Sequence, residues 1–143
     1  MKSKTESSLA VIETLIALLV LLGLGGIGGG IPMLLDPSGT LMRLPKGLLN
    51  RLPINNFILP GLFLIVVMGL IPFVLAYGMW RRRRWAWLGT LVQGAVLVLW
   101  ICFQIILWGT PIAIQYIYLI WGIVLLVLGL LPQTRRFFLA SES

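Results

Sequence analysis

"GLGGIGGGIP", Gly23 to Pro32, opens with the spacing G-x-G-x-x-G. That spacing is the fingerprint of a dinucleotide-binding turn, so the stretch decides between two very different folds. The fingerprint works only with a strand before it, a helix after it, and an acidic residue about 20 positions on to hold a ribose. Here the stretch lies inside an apolar run from about Leu9 to Ile31, and the next acid, Asp36, comes too soon and directly before a proline. A helix that crosses a membrane needs about 20 mostly apolar residues, and this run has them. Dinucleotide binding is therefore rejected. In a helix surrounded by lipid, glycine lets a neighbouring backbone come close, and Gly25 with Gly29 and Gly26 with Gly30 form two pairs at the required spacing. The alternative is that so many glycines break the helix and leave backbone groups lining a site.

The rest of the chain follows the first run. Hydrophobic residues make up 59% of the 143 and charged residues 10%. Soluble domains average about 45–50% and about 25%, and a domain this small has too little interior to hide the excess. Three further runs reach spanning length, at about 57–80, 85–108 and 112–131. Only "RRRR" (Arg81 to Arg84) and "GTP" (Gly109 to Pro111) separate the last three, so these segments are antiparallel neighbours. The expected fold is an all-α, four-helix transmembrane bundle forming a single integral membrane domain over 1–143. The basic start "MKSKTE" is not read as a secretory signal, because the run behind it is too long and no small-x-small cleavage site follows.

The net charge of +7, from 11 Lys and Arg against 4 Asp and Glu, is explained by topology before nucleic acid. Lys2, Lys4, Arg81 to Arg84, Arg135 and Arg136 fall on one side of the spans; Arg43, Lys46 and Arg51 fall on the other. The positive-inside rule then predicts a plasma (inner) membrane protein with both termini cytoplasmic. "WRRRRWAW", Trp80 to Trp87, joins interfacial tryptophans to cationic anchors, and Arg81, Arg82, Arg83 and Arg84 are candidates for acidic lipid headgroups. In the outer loop, "DPSG" is a turn, and Leu41, Leu44, Leu48 and Leu52 recur at helical spacing. They predict a short amphipathic segment on the membrane face, or a lid over a cavity.

Polar residues within the spans are few, and each is a candidate. Glu13 is the only ionisable residue inside an apolar run. It is either an interfacial group favoured by the helix N-terminus or a proton or cation site. In that one feature the chain is similar to proton-coupled exporters of the small multidrug resistance type, which implies the second role. Gln93 and Gln104 lie 11 residues apart, about three helical turns, and so share a face with Trp100 and Trp108. Gln115, Tyr118 and Gly122 make a comparable face on the fourth run, and folding about "GTP" brings Gln104 to the depth of Gln115 and Tyr116, with Trp100 and Trp121 near the midplane. These groups either glue helices together or line a small-molecule or lipid pocket.

With no histidine and a single cysteine, Cys102, the chain lacks the parts for a metal site, a haem ligand or a nucleophile–histidine pair. No enzyme activity, no cofactor and no nucleic-acid partner are expected. In architecture the chain resembles the small four-helix membrane proteins of bacteria. The leading expectation is a non-enzymatic accessory subunit, packed in a larger membrane complex or self-associated, with membrane lipids as its other partners. The alternatives are an oligomeric transporter or channel using Glu13, and a membrane protein that binds a lipid or small hydrophobic ligand.

Overall fold

The computed structural model describes residues 4–36, 58–108 and 113–140. The predicted outer amphipathic segment, the "GTP" turn, Lys2 and the cations Arg43, Lys46 and Arg51 lie outside these residues. The described residues are helical, with no strand among them. α1 spans Lys4–Leu35 and α2 Ile58–Ile65. A π-helical turn, Val66–Leu70, joins α2 to α3, Ile71–Trp80. Then come α4, Arg84–Trp108, α5, Ala113–Leu130, and α6, Pro132–Ala140. Ser8–Leu35, Ile58–Trp80 and Arg84–Ile106 are each long and apolar enough to cross a membrane, and α5 with α6 makes a fourth if the pair, bent by 60°, counts as one.

α1 runs unbroken through all its glycines, so they do not interrupt the helix. Glycine in a helix costs about 1 kcal/mol relative to alanine, and packing has to offset that. The contacts do so. A Cβ on Gly26 would run into the Met68 carbonyl, and one on Gly30 would sit 2.6 Å from that of Gly61. One on Gly23 would lie 2.8 Å from the Gly69 carbonyl. Three of the six glycines thus hold the backbone of α1 directly against that of the second span.

The second span answers this with its own irregularity. Pro72 has no N–H to give the Met68 carbonyl, four residues before it. The chain adjusts by widening one turn, and the Ile71 N–H bonds to the Val66 carbonyl, five residues back. Pro72 is thus accommodated by a π turn, and it is this turn that lies on Gly26. Across the bundle, a Cβ on Gly94 would lie 3.0 Å from the Gly122 carbonyl, and one on Gly122 would lie 3.0 Å from that of Gly94, so α4 and α5 also cross backbone to backbone. Ile12, Leu15, Leu19 and Leu22 of α1 fill the core between these two pairs, with Met68, Leu75, Leu97 and Leu125.

The arginine link is a tight structure. Arg82 has φ 59°, in the left-handed region. Its N–H bonds to the Met79 carbonyl at 3.0 Å and that of Arg83 to Gly78 at 2.9 Å, the two bonds of a Schellman ending. Glycine usually takes this position, and the Arg82 guanidinium instead gains a place 5.4 Å over the Phe137 ring. Phe137 belongs to α6, so the mixed-polarity stretch Thr134 to Ala140 is helical and packs against the bundle. α6 docks under the bundle: Phe138 is fully buried and stacks on Trp87 at 6.2 Å, while the Trp87 indole N–H donates to the Gly129 carbonyl at 2.8 Å. Truncating a buried phenylalanine costs about 3 kcal/mol or more. Phe138→Ala is expected to release α6, making tryptic cleavage at the exposed Arg135 and Arg136 more than tenfold faster. Unchanged cleavage would mean that α6 is held by something else.

Candidate ligand-binding site

The remaining glycines of α1 do something different. Gly25 and Gly29 lie about 100° around the helix from Gly26 and Gly30. They form one wall of a cavity of about 190 Å³. The second span contributes Leu64 and Met68, α4 contributes Leu97, Trp100, Ile101 and Gln104, and α5 contributes Gln115 and Tyr118. All four long helical segments therefore meet at this cavity. A Cβ on Gly29 would be in ordinary contact with Leu64 Cδ1, at 3.6 Å, and one on Gly25 would meet the Tyr118 hydroxyl at 2.8 Å. So of the four glycines expected to pack helices, Gly30 does so, Gly26 does so and also borders the cavity, and Gly25 and Gly29 leave room for side chains and for empty space. Gly28 faces outward with nothing within 4 Å.

The polar candidates divide in the same way. Gln115 is buried and its amide nitrogen donates to Gln104 Oε1 at 3.5 Å, joining α4 to α5 at the depth expected from folding about their short link. Gln93 shares the helix face but points at a different partner. Its amide nitrogen donates to Met68 Sδ at 3.3 Å. Gln93 is thus outside the cavity wall and braces Met68, which is in it. Trp100 lines the cavity and packs on Phe63 of α2, ring centroids 4.5 Å apart. Trp121 does not line it. It stacks on Tyr118 at 5.7 Å and its indole N–H donates to the Leu18 carbonyl at 3.3 Å, so it fixes Tyr118 against α1.

Two sequence candidates lie elsewhere. Glu13 is exposed on α1, nine residues and roughly 13 Å of helix rise before Leu22, the first cavity residue on that helix. Arg81 to Arg84 are exposed at the opposite end of the bundle from the cavity. Sequence reasoning also missed Leu22, Met33, Leu64, Met68, Leu97 and Ile101. Their apolar side chains carry no signal that separates a cavity wall from a packed core.

The cavity's charge is simple. Among the described residues that line it there is no Asp, Glu, Lys or Arg. Its polar groups are two amides and one phenol, and the rest is aliphatic, aromatic, thioether or glycine backbone. Such a wall can bind and orient a molecule by shape and hydrogen bonds, and offers no nucleophile or acid–base pair.

Comparison with protein-family models, curated proteins and solved structures finds no match.

The glycine geometry makes a direct test possible. Gly29→Ala is expected to leave the melting temperature unchanged or slightly raised, because alanine fits and is the better helix former by about 1 kcal/mol. Gly25→Ala must displace the Tyr118 hydroxyl, and is expected to lower the melting temperature by a few degrees. Equal effects of the two, measured on the same detergent-purified protein, would contradict the assignment of Gly29 to an open wall.

Proposed function

We propose that this chain is a non-enzymatic, multi-pass membrane protein that holds a small hydrophobic molecule between its helices. One observation carries the reading: a cavity of about 190 Å³ in which all four long helical segments take part, with the amide pair Gln104–Gln115 and Tyr118 in its wall. The cavity is half open to its surroundings, and an apolar molecule entering it gains contacts that the helices leave unmade. The three to four helices long and apolar enough to cross a membrane support the same reading, since lipid is the source from which an apolar ligand would come. The balance of Lys and Arg supports placing both termini, the arginine link and α6 on the cytoplasmic side of the plasma membrane, with the cavity in the outer half.

An accessory subunit is the second reading. A line of exposed residues down α1, Thr14, Ala17, Leu21, Leu24, Gly28, Ile31 and Leu35, recurs every three or four positions and supports docking of another helix. The transporter reading draws nothing from the geometry around Glu13.

Purification from native membranes separates the two. Gly29→Leu fills the cavity, and Gly28→Leu adds the same side chain to the outer line. The ligand reading expects a small organic molecule in the organic extract of wild type and of Gly28→Leu, and its loss from Gly29→Leu. An extract unaffected by Gly29→Leu, with a protein partner lost from Gly28→Leu, would replace this reading with the subunit.

A further inference from the structure

We infer that the ligand of this cavity places in it an uncharged portion about the size of one substituted aromatic ring, carrying a hydrogen-bond acceptor at one end. The inference rests on the ligand reading above and adds the chemical class. Size comes first. An enclosed apolar cavity of about 150 Å³ accepts benzene, so the roughly 190 Å³ of this half-open one accepts a ring with a short substituent, or the end of a longer molecule whose remainder lies outside.

Charge comes next. A carboxylate or ammonium in so apolar a place would need an opposite charge, because burying an unpaired ion costs many kcal/mol. The described lining residues supply none, and Glu13 is too far along α1 to do so. The portion of the ligand inside the cavity is therefore neutral.

The polarity of the cavity runs along the bundle. Gln104, Gln115 and Tyr118 lie toward the end where α4 finishes and α5 begins. Leu97 lies seven residues deeper on α4, about 10 Å by helix rise, and with Leu22 and Met68 makes an apolar floor. Gln104 uses its carbonyl oxygen to accept from Gln115, which leaves its own NH₂ group as a donor. Tyr118 supplies a hydroxyl, held in place by the stack on Trp121. Both groups can donate, so the matching end of the ligand is an acceptor: a carbonyl, ether or hydroxyl oxygen. The molecule lies with its apolar body on Leu22, Met68 and Leu97 and its oxygen toward the α4–α5 link.

Three probes of nine heavy atoms each separate these terms. Acetophenone carries a carbonyl acceptor, α-methylstyrene has the same shape without one, and benzoate is the charged analogue. Each is equilibrated with the full chain in phosphatidylcholine nanodiscs. Subtracting binding to Gly29→Leu nanodiscs removes partition into the lipid. The expected result is that acetophenone binds about five- to tenfold more tightly than α-methylstyrene, and benzoate shows no excess. Gln104→Met and Tyr118→Phe, tested separately, should each reduce that preference while α-methylstyrene binding is kept. Equal binding of acetophenone and α-methylstyrene would overturn the acceptor and leave the cavity as a ligand site. Tightest binding of benzoate would overturn neutrality. No excess for any probe would overturn the size inference, and whether the cavity holds a ligand at all is then judged by the organic extract described above.

Discussion

The contact on which the structure depends is that of Gly26 with the Met68 carbonyl. It joins the two most irregular places in the chain. α1 carries a glycine stretch that weakens it as a helix, and the second span carries Pro72, which deprives Met68 of its helical donor. Each irregularity is costly alone. Together they let the two backbones meet with no side chain between them, and the π turn from Val66 to Leu70 is the shape that the second span takes there. α4 and α5 solve the same problem more simply, with one glycine from each at Gly94 and Gly122.

This contact also sets the cavity. With α1 drawn against the second span by Gly23, Gly26 and Gly30, the face about 100° away looks toward α4 and α5. On that face Gly25 and Gly29 offer no side chain to fill the gap. Larger residues there would pack the bundle shut, and a regular α-helical turn in place of the π turn would aim Met68 elsewhere. The cavity is thus the counterpart of the close packing, made by the same residue type on the adjacent face of one helix. The amides then divide by partner: Gln93 braces the Met68 wall, and Gln104 with Gln115 closes the other side.

Much of this was legible in the sequence, for physical reasons that can be named. Apolar runs of 20 residues mark long helices, and the observed helices agree with them within about five residues. Short links force antiparallel pairing, so Gln104 and Gln115 could be placed at one depth. The glycine spacing showed that α1 approaches something closely. It could not show which glycines do so, because both pairs have the same spacing and only the position of the second span chooses between them. Gln93 and Gln104 share a helix face, yet Met68 captures the first; a thioether in an apolar run gives no warning of that. α6 was missed because "TRRFFLASES" follows a proline and is mixed in polarity. Pro132 at its start, with the two phenylalanines beside the arginines, was the available signal for a docked amphipathic turn.

The most direct test of the account is the melting temperature of Gly26→Ala beside that of Gly28→Ala, in the same detergent. Both replace glycine by the better helix former within one turn of α1. On Gly26 the added methyl must displace the backbone at Met68; on Gly28 it enters open space. The account predicts that Gly26→Ala melts about 5 °C or more below wild type, while Gly28→Ala melts at or slightly above it. Equal melting temperatures for the two would show that α1 and the second span do not meet backbone to backbone, and the origin proposed for the cavity would fall with that contact.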